Sequence, residues 1–259
     1  MFLSEMHFYS ESLGLQTSVN VLVPDPGVIA QSKAPVPVLY LLHGLSGDHT
    51  VWMRQTSLER YARRWRVCIV MPDADKSYYM DMAHGAKYET YIARELPEMI
   101  ERCLPFASKK REGRFVAGLS MGGFGALKLA LAYPARYQAC ATLSGALGVG
   151  EIYSEKDTRP ESYMKMMDLI FGGADRLANS TGNINRAAEK LCRAPQKCPS
   201  IYIACGTEDQ LFGANERFVE RFGKRLPIEY HTSAGAHTWD FWDESIKKVI
   251  EWLPLEAAK

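Results

Sequence analysis

The sequence lacks any run of about 18 consecutive apolar residues, so no transmembrane helix is expected. It also lacks the Gly/Ser, Pro or charge blocks that mark a linker. With 31 Lys and Arg against 30 Asp and Glu, the net charge is +1, which offers no argument for nucleic acid or an anionic membrane as partner. Local basic clusters (Arg60, Arg63, Arg64 and Arg66; Lys109 to Arg111) sit where a helix pattern meets a turn and read as solvated faces. The opening segment MFLSEMHFYSESLG carries Glu5 and no long apolar run, unlike a secretory signal, so the cytoplasm is the expected location. The 6 cysteines (68, 103, 140, 192, 198 and 205) form no C-x-x-C pair. Most lie in apolar runs such as RVCIVMP and IYIACG, where buried free thiols are expected rather than disulfides or a metal site. No cofactor is implied.

What is present is an ordinary globular composition. The 259 residues are 47% hydrophobic, enough for one α/β domain whose core forms without metals or disulfides. TSVNVLVP alternates, with Val19, Val21 and Val23 on one face, and with EMHFYS and the turn at Gly14 it suggests an antiparallel edge pair. PVLYLLH (37–43), RVCIVMP (66–72), RFVAG (114–118) and IYIACG (201–206) are continuous apolar runs, the pattern of parallel strands covered on both faces. YQACATLSG (137–145) and IEYHT (228–232) are further strand candidates.

Helical spacing falls between these runs, at Leu58, Tyr61, Ala62 and Trp65, and again at Trp242, Ile246, Val249, Ile250 and Leu253. Residues 88–104 are also periodic, with Pro97 expected to interrupt or kink them. The alternation predicts an α/β fold with a mostly parallel central sheet flanked by helices. Residues 147–199 break the rhythm and read as a helical insertion within the single domain 1–259, a cap that could line a pocket.

Chemistry concentrates in VAGLSMGGFGALKLA (116–130). Gly118-Leu119-Ser120-Met121-Gly122 fits G-x-S-x-G, a sharp strand-to-helix turn that exposes a nucleophilic serine. The pentapeptide alone is weak; the strand pattern before it and the apolar helix pattern after it supply the setting the motif requires. A serine hydroxyl needs a base, and the base needs an orienting carboxylate. Only His231 and His237 follow Ser120. His231 falls inside a strand, whereas His237 sits in a small-residue loop before the final helix, the better place for a base. The acid is expected after a strand, and IYIACGTEDQLF offers both Glu208 and Asp209. Backbone N–H groups for an oxyanion are expected from Met121, just after the nucleophile, and from Leu45 in YLLHGLSGD.

LLHGLSGDHTVW, RQTSLERYA, GLSMGGFGALKLAL and GAHTWDFWDESIKKVIEWL, in that order, resemble the esterase D ("putative esterase") branch of the α/β-hydrolases, and within it the bacterial tributyrin esterases and acetylesterases. The resemblance runs over nearly the whole chain and is weakest in 147–199. It implies an α/β-hydrolase fold and a serine carboxylesterase acting on short-chain acyl esters (acetyl to butyryl) through an acyl-enzyme. It makes Ser120 the nucleophile, His237 the base and Asp209, rather than Glu208, its partner, with oxyanion donors at Leu45 and Met121. It also brings the loop of KSYYMDMAHGAKYETYIARELP (76–97) toward the site, with Tyr79 and His84 as candidate substrate contacts beside Trp52 and Trp239. A small-molecule ester is the implied partner, and a homo-oligomer is an expectation of the same kind. The branch includes feruloyl or acetyl-xylan type esterases and S-formylglutathione hydrolases. The latter usually carry a cysteine in the loop that here reads GLSGDHT, a departure that counts against that alternative.

Overall fold

The strands assemble into one eight-stranded sheet in the computed structural model, which describes residues 1–151, 153 and 159–258. Along the chain these are β1 (Phe2–Ser10), β2 (Leu15–Val23), β3 (Val38–Leu42), β4 (Cys68–Pro72), β5 (Arg114–Leu119), β6 (Ala139–Leu143), β7 (Ser200–Gly206) and β8 (Ile228–Ser233). Their spatial order is β1-β2-β4-β3-β5-β6-β7-β8. β2 runs antiparallel to both β1 and β4, and every pairing from β4 through β8 is parallel. The hairpin is therefore correct in pairing, but only β1 lies at the edge; β2 is an inner strand, which is why its second half is buried on both faces.

Helices cover both faces. In chain order they are α1 (Pro26–Ile29), α2 (Val51–Gln55), α3 (Leu58–Ala62), α4 (Tyr88–Thr90), α5 (Leu96–Cys103), α6 (Met121–Ala132), α7 (Glu161–Phe171), α8 (Ala174–Asn179), α9 (Ile184–Leu191), α10 (Phe212–Phe222) and α11 (Trp239–Trp252). One core layer gathers α5, α6 and α7 to α10 around Phe124, Phe171, Ile184 and Phe218. The other packs α2, α3 and α11 through Trp52, Leu58, Trp242 and Ile246. Residues between β6 and β7 are helical, with α7, α8 and α9 and no strand among the described residues. Among the described residues no helix is long and apolar enough to cross a membrane.

Pro97 has a local consequence. Residues Tyr91–Glu95 form a π-helical turn between α4 and α5, so the segment continues rather than breaking. Proline has no N–H for the carbonyl one turn earlier. The Ala93 carbonyl accepts instead from the Arg136 guanidinium. The described cysteines are all free thiols; Cys68, Cys140, Cys198 and Cys205 are buried, while Cys192 is half-buried and Cys103 exposed.

Candidate active site

β5 ends at Leu119 and α6 begins at Met121, leaving Ser120 alone in the turn with φ 53° and ψ −116°. That is a costly conformation for a residue with a side chain. The turn holds because Ser120 N–H donates to the Leu143 carbonyl of β6 (2.9 Å) while its carbonyl accepts from Phe124 and Ala146 (3.0 Å each). Gly122 is required by close approach: a Cβ there would collide with the Leu42 and His43 carbonyls. Gly118 faces the Gly122 backbone in the same way. Gly125 admits the Tyr79 ring.

Ser120 Oγ lies 3.0 Å from His237 Nε2. On the ring's other side, Nδ1 is 2.9 Å and 3.1 Å from the two carboxylate oxygens of Asp209. The Asp209 side chain is fully buried and that of His237 is 24% exposed, so the imidazole meets solvent and the carboxylate does not. Burial pulls the Asp209 carboxyl up, but hydrogen bonds from His237, Ser144 and the Leu211 N–H hold it below the usual carboxylate range. A carboxylate thus faces Nδ1, which places the ring proton there and leaves Nε2 free to accept from Ser120. Glu208 is exposed; its carboxylate accepts only from the neighbouring Thr207 hydroxyl (3.5 Å), while its backbone N–H donates to the Gly235 carbonyl in the loop after β8. His231, in β8, stacks on Tyr202 of β7, with ring centroids 4.3 Å apart.

The loop after β3 runs directly beside the serine; a Cβ built on Gly44 would lie 3.6 Å from the Ser120 Cβ. Three successive carbonyls of this loop are each held by a side-chain donor. Trp52 Nε1 donates to Leu42 (3.1 Å), Tyr79 Oη to His43 (2.9 Å) and His43 Nδ1 to Gly44 (2.7 Å). Ala74 N–H donates to His43 Nε2 (2.9 Å), so the proton of that ring sits on Nδ1. With the carbonyls fixed, the Leu45 N–H remains without an acceptor among the described residues, as does the Met121 N–H at the start of α6. Unpaired N–H groups beside a serine hydroxyl, one at a helix N-terminus, suit a developing negative charge.

A cleft of about 1090 Å³ opens over Ser120. Leu45, His237, Trp239 and Trp242 line it, together with Val149 and Tyr163 from the region between β6 and β7. Of the four aromatic and histidine candidates, Trp239 alone faces the cleft. Trp52 and Tyr79 have no exposed surface, because their polar atoms are turned inward to the β3 loop. They are loop supports rather than substrate contacts. His84 is exposed and away from the cleft, its N–H bonded to the Leu169 carbonyl of α7.

Sequence reasoning missed four contributors. His43 was visible only as the residue before the loop glycine. Tyr78 lines the cleft and its hydroxyl lies 3.1 Å from that of Tyr163. Trp242 sets its ring edge-on to His237, at 4.8 Å and 90°, and donates Nε1 to Ser144 Oγ (3.1 Å). Ser144, buried at φ 48°, stands between Trp242 and Asp209.

A serine on a strand-to-helix turn of a mostly parallel, helix-covered sheet defines an α/β-hydrolase-fold serine hydrolase. A family model described as "Putative esterase" matches residues 10–253, and the chain belongs to that family. It is 29% identical over 264 residues to a protein named acetyl esterase from Caldicellulosiruptor saccharolyticus, covering 98% of each chain. Among solved structures it is similar to the Staphylococcus aureus fluorophosphonate-binding serine hydrolase FphF, with TM-score 0.85 and 29% identity over 97% of this chain and 98% of that one. It is also similar to the S. aureus S-formylglutathione hydrolase FrmB, with TM-score 0.83 and 28% identity over 98% and 99% of the two chains. The protein is a serine ester hydrolase.

Proposed function

We propose that Ser120, His237 and Asp209 form the catalytic triad of a carboxylesterase for short-chain acyl esters. The observation that carries this reading is the unbroken hydrogen-bond chain from the serine hydroxyl to a buried carboxylate, at 3.0 Å and 2.9 Å, beside two unpaired N–H groups. Ser120 Oγ attacks the ester carbonyl as His237 Nε2 takes its proton. The oxyanion is held by the Leu45 and Met121 N–H groups. Collapse expels the alcohol, which receives that proton from His237, and leaves an acyl-serine. Water, deprotonated by His237, then releases the acid and restores Ser120. The helices between β6 and β7 act as an insertion of the single domain that shapes the cleft.

The short-chain end of this preference is supported by the relative named acetyl esterase. An acyl series from p-nitrophenyl acetate to octanoate is expected to show maximal kcat/KM at four carbons or fewer; a maximum at octanoate overturns this preference. The likeness to FrmB brings a second reading, a thioester of glutathione as substrate. S-formylglutathione belongs in the same assay, and a kcat/KM well above that for every oxygen ester would favour it.

The loop-holding role of Tyr79 has its own test. Tyr79→Phe leaves the His43 carbonyl without its buried donor, a loss of about 1 kcal/mol or more. It is expected to lower kcat roughly tenfold with little change in KM, because the oxyanion donors shift while the cleft does not. Unchanged kcat would separate Tyr79 from the reaction.

A further inference from the structure

The two edges of the sheet are finished differently. β8 ends one side with polar residues, its exposed positions being Glu229, His231, Thr232 and Ser233. β1 ends the other side and carries apolar ones. Of the five exposed large hydrophobic residues among those described, Phe2, Leu3 and Tyr9 lie on β1 and Leu15 begins the paired strand, each 45–52% exposed. A nine-residue strand with one unpaired edge and exposed apolar side chains is a template for another strand.

We infer that this edge joins a second copy of the same chain, β1 against β1, making one continuous sheet across a two-fold axis. The strand's own sequence selects the partner and the register. A two-fold axis perpendicular to the sheet keeps each face on its own side, so odd-numbered residues oppose odd-numbered ones. Centring the axis on Met6 sets Leu3 opposite Tyr9 and Glu5 opposite His7, each pair occurring twice. The exposed face then reads as two central acid–histidine pairs flanked by two apolar pairs, all favourable across strands. Centring it on residue 5 would oppose Glu5 to Glu5, and centring it on residue 7 would oppose His7 to His7 and Glu5 to Tyr9. Within one chain Glu5 already lies 3.5 Å from His7 and 3.3 Å from His49, so its carboxylate is directed onto this face. Met6 and Phe8 on the other face pack against the core and stay with their own chain.

Sedimentation of the full chain at micromolar concentration tests this. The wild type is expected to show twice the chain mass. His7→Glu sets a second carboxylate opposite Glu5 in both symmetry-related pairs and should weaken association roughly tenfold or more. Glu5→Lys added to His7→Glu restores opposite charges in the same register and should restore the dimer. Turnover of p-nitrophenyl acetate in all three forms reports that the fold and the cleft are intact. A monomeric wild type, or a dimer indifferent to His7→Glu, overturns the interface. Failure of the double variant to recover overturns the register centred on Met6.

Discussion

Ser120→Ala is expected to lower turnover of p-nitrophenyl acetate by about 10⁴-fold or more, with the circular dichroism spectrum and melting temperature little changed. The substitution deletes one oxygen, 3.0 Å from His237 Nε2, and nothing the turn depends on. The positive φ is set by backbone bonds to Leu143, Phe124 and Ala146, and alanine bears that conformation about as well as serine. KM is expected to change little, since the Leu45 and Met121 N–H groups and the cleft walls remain. Some residual rate over water survives for the same reason: carbonyl polarisation by those N–H groups does not need the nucleophile. A variant keeping more than a tenth of wild-type kcat would assign the chemistry to another group.

Lys128→Met is expected to cost about 3–5 kcal/mol of stability, a fall in melting temperature of roughly 10 °C. Lys128 lies in the middle of α6 with no exposed surface, its ammonium 2.9 Å from Glu89 and also bonded to the Tyr79 carbonyl. Glu89 accepts two further bonds, from the hydroxyls of Tyr133 and Thr181 at 2.6 Å each. Burial raises the Glu89 carboxyl, but Lys128 and these hydroxyls more than offset it and hold it below its ordinary range. Burial lowers the Lys128 ammonium, with Glu89 acting against it. Methionine fills much of the lysine volume but leaves a buried carboxylate without its cation. Adding Glu89→Gln removes that charge and is expected to recover a large part of the loss, because removing both charges costs less than stranding one.

The pH dependence follows with a definite sign. In the wild type the depressed carboxyl of Glu89 contributes stability that is present above its unfolded pKa and lost as pH falls through the folded one. In Lys128→Met, burial dominates and the folded pKa rises above the unfolded value. The variant therefore loses stability as pH rises through that raised value. The deficit should be larger at pH 7 than at pH 5, as thermal melts at the two values would show. An equal deficit would mean that lost packing rather than the stranded charge dominates. The pair also reaches the site, since Lys128 fixes the Tyr79 backbone and the Tyr79 hydroxyl fixes the His43 carbonyl.

Much of this was legible in the sequence, for identifiable reasons. The parallel strands β3, β4, β5 and β7 are covered on both faces, so they read as unbroken apolar runs. The glycines around Ser120 are demanded by close backbone approach, and a chain has few other reasons to place them so. His237 stood out because it is one of only two histidines after Ser120 and lies in a small-residue loop.

What stayed hidden depends on direction and on distant partners. Trp52 and Tyr79 were expected in the cleft, yet a buried aromatic that supports a loop has the same local pattern as one that touches substrate. Only their Nε1 and Oη bonds to the β3 loop separate the two. The inner position of β2 depends on its pairing with β4, some 50 residues later, which alternation in TSVNVLVP cannot reveal. Lys128 had left a signal: one charge inside the apolar run GALKLAL implies a buried partner. Glu89 is 39 residues away, so the partner itself was not readable. Ser144 and Trp242 act through Asp209 and His237 and have no motif of their own.

Labelling with a fluorophosphonate probe, followed by peptide mass spectrometry, tests the central claim most directly. One adduct is expected, on Ser120, formed in parallel with loss of esterase activity, suppressed by a butyryl ester and absent from Ser120→Ala. An adduct on another residue such as Ser46, tracking the loss of activity while Ser120 stays unmodified, would contradict it.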